Sequence, residues 1–316
     1  MRSIAMLLAF ASAACVHRAG GTSAGLGLQA AYLPPVASAG CRAGSVRGSA
    51  GMRTITSGGR TRRFWLRLPP GGALSRPTPV VLNFHGLFEP PELQELLTGM
   101  TPAAAERGWI VVYPLGSGTS WNAGGCCGRA RWDGVDDVSF VRRLVAQLAR
   151  ELCLDRRRVY ATGMSNGGLF SYRLACEASD LIAAIAPVAA VEAAPRCQPR
   201  RPVPVLAFHG TGDILVRYRG GFPSGSFWDL PSASETFARW ARRNGCAAGT
   251  TTVFSRGDVA CESATSCRAP DILCTVRGGG HTWPGGAIIP YLGSTSSDVD
   301  ATRTILDFFA AQALGR

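Results

Sequence analysis

The 316-residue chain contains no lysine: all 33 of its basic residues are arginine, against 21 acidic residues, for a formal net charge of +12. Runs such as Arg156-Arg157-Arg158 and Arg200-Arg201 are short, and the other arginines are scattered. A nucleic-acid binder gathers its cations with exposed aromatics on one element, so this charge reads as solvated surface and no nucleic-acid partner is expected. Charge is sparse, at 17% of residues, while 46% are hydrophobic, which excludes a disordered chain. Long apolar runs are missing too. Past the N-terminus nothing approaches the roughly 20 apolar residues of a membrane-spanning helix. Histidine is limited to four residues, none at zinc-ligand spacing from the cysteines, and there is no C-x-x-C; neither metal nor organic cofactor is expected.

Cysteine, by contrast, is plentiful. Eleven are present and ten follow Cys15, an even number able to pair completely in an oxidising compartment. Adjacent cysteines rarely bridge each other, so Cys126 and Cys127 are expected to staple two different segments, and Cys246, Cys261, Cys267 and Cys274 to supply local bridges. Residues 1–15 read as a secretory signal: Arg2, an apolar stretch from Ile4 to Phe10, then small residues before Cys15. Release into the extracellular space is the reading, with a lipid anchor at Cys15 as its alternative. Residues 16–51 are rich in Gly, Ala and Ser and read as a flexible spacer, leaving 52–316 as one catalytic domain, expected to be monomeric.

Within that domain Arg53–Thr56 and Arg62–Leu68 predict an opening hairpin. The unbroken apolar runs Pro79–Phe84 and Trp109–Tyr113 predict strands buried on both faces. Further strands are expected at Arg158–Thr162, Ala183–Val188, Val203–Phe208 and Ile272–Val276. Helical spacing marks Asp137–Cys153, Asn166–Glu177, Ser232–Asn244 and Asp298–Leu314. This alternation predicts an α/β fold, a mostly parallel sheet with helices on both faces.

Gly163-Met164-Ser165-Asn166-Gly167 follows a strand and opens a helix, the context of a nucleophile elbow. A serine hydroxyl needs a base to take its proton and a carboxylate to orient that base. His281, after Gly278-Gly279-Gly280, is the histidine placed for this work, and the order Ser…Asp…His selects it as well. Asp213, in His209-Gly210-Thr211-Gly212-Asp213 just past the end of a strand, is preferred over Asp180, Glu192, Asp229, Glu235, Asp258, Glu262 and Asp271 as the acid. Backbone N–H groups of Asn166 and Leu87 are the expected oxyanion hole. His85 reads as a structural histidine that hydrogen-bonds the loop.

Several ordered motifs carry a resemblance: Asn83-Phe84-His85-Gly86, Trp121-Asn122-Ala123-Gly124-Gly125-Cys126-Cys127-Gly128, Val135-Asp136-Asp137-Val138, the elbow itself, His209 to Asp213, and Gly279-Gly280-His281-Thr282-Trp283-Pro284-Gly285-Gly286. Over about residues 52 to 314 the chain resembles secreted α/β-hydrolase esterases of the polyhydroxybutyrate depolymerase and feruloyl esterase group, related to carbohydrate esterase family one. The resemblance implies an α/β-hydrolase fold with Ser165 as nucleophile, Asp213 as acid and His281 as base. The chain departs from the group after Gly86, where Leu87-Phe88-Glu89-Pro90-Pro91 replaces the usual glycines and adds an apolar wall.

Trp121, Trp228 and Trp283 fall in predicted loops and are candidates to line a substrate cleft, or else to cap the core. Asp133, Asp136 and Asp137 are expected to cap a helix rather than hold a cation. The reading is a secreted serine esterase acting on polyhydroxybutyrate-type polyester or its oligomers. Its alternative within enzymes is a feruloyl or acetyl-xylan esterase of plant cell walls; outside enzymes, it is a basic envelope binding protein.

Overall fold

Strands with no polar face have to be covered on both sides, and this requirement shapes the molecule. The structure, a computed structural model, describes Leu26 and residues 33–43, 46–47, 50–71, 73–221 and 229–315. In chain order the strands are β1 (Val46–Arg47), β2 (Gly51–Ser57), β3 (Arg60–Arg67), β4 (Ala73–Leu74), β5 (Thr78–Phe84), β6 (Ile110–Pro114), β7 (Leu154–Met164), β8 (Ala184–Val188), β9 (Val205–Gly210), β10 (Thr250–Arg256), β11 (Val259–Ala264) and β12 (Asp271–Val276). The helices are α1 (Pro91–Thr98), α2 (Met100–Ala105), α3 (Gly128–Trp132), α4 (Asp137–Glu151), α5 (Asn166–Glu177), α6 (Ala233–Arg243) and α7 (Ala301–Ala310).

Ten strands form one sheet in the order β10-β11-β12-β9-β8-β7-β5-β6-β3-β2, while β1 and β4 pair separately. From β12 to β6 all neighbours are parallel. Antiparallel hairpins flank this centre: β2 and β3 on one side, β10 and β11 on the other. Alternate residues of β5 face opposite cores. Val80, Leu82 and Phe84 belong to the core that also takes in residues of α4, α5 and α6, whereas Val81 belongs to the core that takes in residues of α2 and α7. The expected mostly parallel sheet with helices on both faces is therefore present. Among the described residues no helix is long and apolar enough to cross a membrane.

Two expectations are corrected. The spacer expected over residues 16–51 is, across 33–43, fastened to the body: Cys41 is bonded to Cys153, and the Ser38 hydroxyl donates to the Leu152 carbonyl at 2.7 Å. The small residues of this stretch, without helical or strand period, gave no sign of this disulfide. Cys126 and Cys127, expected to staple separate segments, are bonded to each other across a cis peptide. The remaining pairs are Cys176–Cys197, Cys246–Cys267 and Cys261–Cys274. The signal reading of residues 1–15, with Cys15, lies outside the described residues.

Candidate active site

Strand β7 ends at Met164 and α5 begins at Asn166, which leaves Ser165 alone at the bend with φ 55° and ψ −123°. A non-glycine residue at positive φ costs backbone energy and persists only where its surroundings hold it. Here the Ser165 N–H donates to the Val188 carbonyl (3.0 Å) and the Leu169 N–H to the Ser165 carbonyl (2.9 Å). A Cβ on Gly163 or on Gly167 would collide with the Phe84 carbonyl oxygen, so both residues flanking the turn have to be glycine. Ser165 itself stays partly exposed amid buried neighbours.

Asp213 and His281 lie 68 residues apart in the chain and meet, Nδ1 of His281 standing 2.8 Å from Oδ2 of Asp213. Their loops are clipped together. Thr211 N–H donates to the Val276 carbonyl (2.9 Å), Gly212 N–H to the Gly279 carbonyl (2.9 Å) and Gly278 N–H to the Thr211 hydroxyl (2.8 Å). The other oxygen of Asp213 accepts the N–H groups of Leu215 and Val216, each at 2.9 Å. Burial pushes the Asp213 carboxyl up, but the histidines beside it outweigh burial and bring it down to about 2. Of the two, His281 makes the close contact. His209 Nε2 lies 3.5 Å away and sits nearer the Val216 carbonyl, at 2.7 Å, so it acts on Asp213 through space. A carboxylate accepting at Nδ1 fixes His281 in the tautomer with Nε2 free to take a proton.

The loop after β5 is held from within. His85 Nε2 accepts the Gly116 N–H (2.9 Å), which leaves Nδ1–H to donate to the Gly86 carbonyl (2.6 Å). Burial lowers the His85 pKa to about 4, against the pull of that carbonyl, so this histidine is neutral and structural. The Gly86, Phe88 and Glu89 N–H groups donate to Glu89 Oε2, the Thr119 carbonyl and the Gly86 carbonyl. Among the described residues nothing accepts from the N–H of Leu87 or of Asn166. The Asn166 side chain is occupied elsewhere, exchanging bonds of 2.7 and 2.9 Å with the backbone of Trp121.

Ser165, His281, Leu87 and Asn166 all line one cavity of about 560 Å³, whose other walls are largely apolar: Leu93, Leu97, Met164, Leu169, Leu230 and Ile289 among them. Phe88 and Tyr291 stand exposed at its mouth. Two of the tryptophan candidates are corrected. Trp121 is fully buried, stacked on Phe170 at 5.1 Å with its Nε1 donating to the His85 carbonyl; Trp283 is buried with its Nε1 on the Thr302 hydroxyl (2.9 Å). Each indole satisfies its one donor inside the core and neither lines the cavity. Trp228 lies outside the described residues. Of the acidic cluster, Asp136 caps α4 through the Ser139 N–H (2.9 Å). Asp137 does not cap; it is buried against Arg62 at 2.7 Å and accepts the Asn122 N–H. Sequence reasoning also passed over Glu89 and Tyr291, because loop residues carry no periodic signal.

No protein-family model matches the chain. It is 33% identical over 234 residues to Feruloyl esterase B of Piromyces equi, 70% of this chain but only 42% of the length of that protein. It is 32% identical over 292 residues to NocK of Nocardia uniformis subsp. tsuyamanensis, an esterase by name, covering 81% of each. Among solved structures, the acetyl xylan esterase from Aspergillus awamori superposes with a TM-score of 0.58 at 15% identity, over 83% of this chain and all of that one, a likeness of fold. The elbow, the mostly parallel sheet and these relatives together place the chain in the feruloyl and acetylxylan esterase family, related to carbohydrate esterase family one, on the α/β-hydrolase fold.

Proposed function

We propose that the chain hydrolyses carboxylic esters through an acyl-enzyme on Ser165. The observation that carries this reading is the His281–Asp213 contact of 2.8 Å on the rim of the cavity that Ser165 also lines. Nε2 of His281 takes the Ser165 proton as the hydroxyl attacks the ester carbonyl, and the imidazolium so formed is stabilised by ionised Asp213. The negative charge on the former carbonyl oxygen is met by the unengaged N–H groups of Leu87 and Asn166; the latter opens α5, so the helix N-terminus adds to the field. His281 then protonates the leaving alcohol. Water, deprotonated in turn by His281, attacks the acyl carbonyl; the bond to Ser165 Oγ breaks, His281 returns the proton to that oxygen and the acid leaves.

For substrate, the names of the relatives support esters of plant cell-wall polysaccharide, feruloyl or acetyl, ahead of the polyester reading that the sequence motifs favoured. The apolar cavity suits an aromatic or short acyl group. Five disulfides support function in an oxidising, extracellular compartment. The test is release of ferulate and acetate from wheat arabinoxylan, set beside clearing of a polyhydroxybutyrate emulsion, with Ser165→Ala as control. Release of ferulate or acetate by the wild type, lost in the variant, is the expected result. Clearing without release returns the substrate to polyester, and undiminished turnover by Ser165→Ala overturns the mechanism.

A further inference from the structure

We propose that Glu89 is a positioning residue of the oxyanion loop, clasping the Gly86 N–H so that the Leu87 N–H is held towards the reacting carbonyl; this rests on the esterase reading above. Residues 86–89 form a closed turn. Glu89 Oε2 accepts the Gly86 N–H at 2.7 Å, while the Glu89 N–H reaches the Gly86 carbonyl at 3.4 Å. The same carbonyl accepts from His85 Nδ1 at 2.6 Å. Gly86 is thus gripped on both of its peptide groups. A peptide is planar and trans, so pinning the Gly86 carbonyl towards His85 turns the Leu87 N–H to the opposite side. Phe88, at φ 61°, and Pro90-Pro91, which lead into α1, fix the exit from the turn.

The carboxyl is close to the chemistry. A Cβ built on Gly86 would lie 2.6 Å from Glu89 Oε2 and 3.7 Å from the Ser165 Cβ, so the carboxyl closes over the backbone beside the nucleophile and a side chain at 86 would have to displace it. Glu89 lines the cavity that holds Ser165 and His281. Its Oε1 is buried without a partner among the described residues, and no arginine pairs with it. A carboxyl kept only for solubility or for an ion pair would stand in water or beside a cation. This one is spent on a single backbone N–H next to the nucleophile.

The test compares wild type, Glu89→Ala and Glu89→Gln on a soluble p-nitrophenyl ester, with thermal unfolding as the check on folding and fluorophosphonate labelling as the check on Ser165. Alanine is expected to lower kcat by tenfold or more, on the order of a weakened oxyanion donor, with KM within about threefold. Glutamine retains an acceptor for the Gly86 N–H and is expected to recover most of that loss. Affinity for a boronic acid that mimics the tetrahedral intermediate should fall in step with kcat in the alanine variant. A folded alanine variant with wild-type kcat, or one altered in KM alone, overturns the proposal. Wild type that fails to label at Ser165 sinks the esterase reading instead.

Discussion

Gly210 at the end of β9 lies against Gly279 beyond β12 so closely that a Cβ added to Gly210 would overlap the Gly279 carbonyl oxygen. Asp213 and His281 follow these two glycines by three and two residues, so this approach sets the geometry of their contact. Gly210→Ala is expected to force the loops apart, costing about 1–3 kcal/mol of stability as overpacking does and lowering kcat more than it raises KM. Thermal unfolding and steady-state kinetics check it; an unaltered kcat would show that the two loops are coupled by something other than this contact.

Asp213→Asn keeps the shape but presents an amide where His281 needs an acceptor, so the imidazole loses its preferred tautomer. A fall in kcat of about 10³- to 10⁴-fold is expected, with KM little changed. Ester hydrolysis at pH 7 measures it.

The same carboxyl carries an acid-stability signature. Its folded pKa, about 2, is below the ordinary 3.8, so its contribution is present above about pH 4 and fades as pH falls towards 2. The gap in melting temperature between wild type and Asp213→Asn should therefore narrow between pH 5 and pH 2. A gap that stays constant across this range would mean that Asp213 is not held ionised by its neighbours.

Burial raises the Glu89 carboxyl from 4.5 to about 7, against the Gly86 N–H that pulls it down. Its charge therefore appears near neutrality, beside the place where the oxyanion forms. The titratable groups sharing its cavity are His281 and Tyr291, while the facing residues 86–88, 126–127, 164–166 and 215–216 bring no charged side chain, and Glu92 on the adjoining helix is exposed. The ratio of kcat for Glu89→Gln to kcat for wild type is expected to climb severalfold from pH 5.5 to pH 8.5. A ratio that stays flat across this range contradicts the expectation.

Cys41 and Cys153 are 112 residues apart, so their bond constrains a long loop of the unfolded chain. Replacing both by alanine should cost about 4–5 kcal/mol on chain-entropy grounds and free residues 33–43 to limited proteolysis, leaving kcat largely intact. Denaturant unfolding and mass mapping of the cleavage sites provide the check.

The strands and helices at the centre were legible because their apolar spacing records how many faces are buried; α5 begins and ends where the periodicity put it, at Asn166 and Glu177. The edge strand β10 was missed, and with it β11, which pairs between β10 and β12. Residues Thr250 to Arg256 of β10 face solvent on most sides, and an edge strand with no buried face leaves no alternation to read. Ser165, Asp213 and His281 could be picked out because the types of residue, the glycines and their chain order carry a chemical meaning before folding.

What local order could not determine was company. Whether Trp121 faced a substrate or the core depended on Phe170 and the His85 carbonyl arriving from other segments. Asp137 depended in the same way on Arg62, and Glu89 on the turn that folds it back over Gly86. Backbone preference and hydrophobic period act within a few residues, and so are written along the chain. Burial, ion pairing and the reach of a side chain into a cavity are properties of residues far apart in sequence, and only tertiary packing decides them.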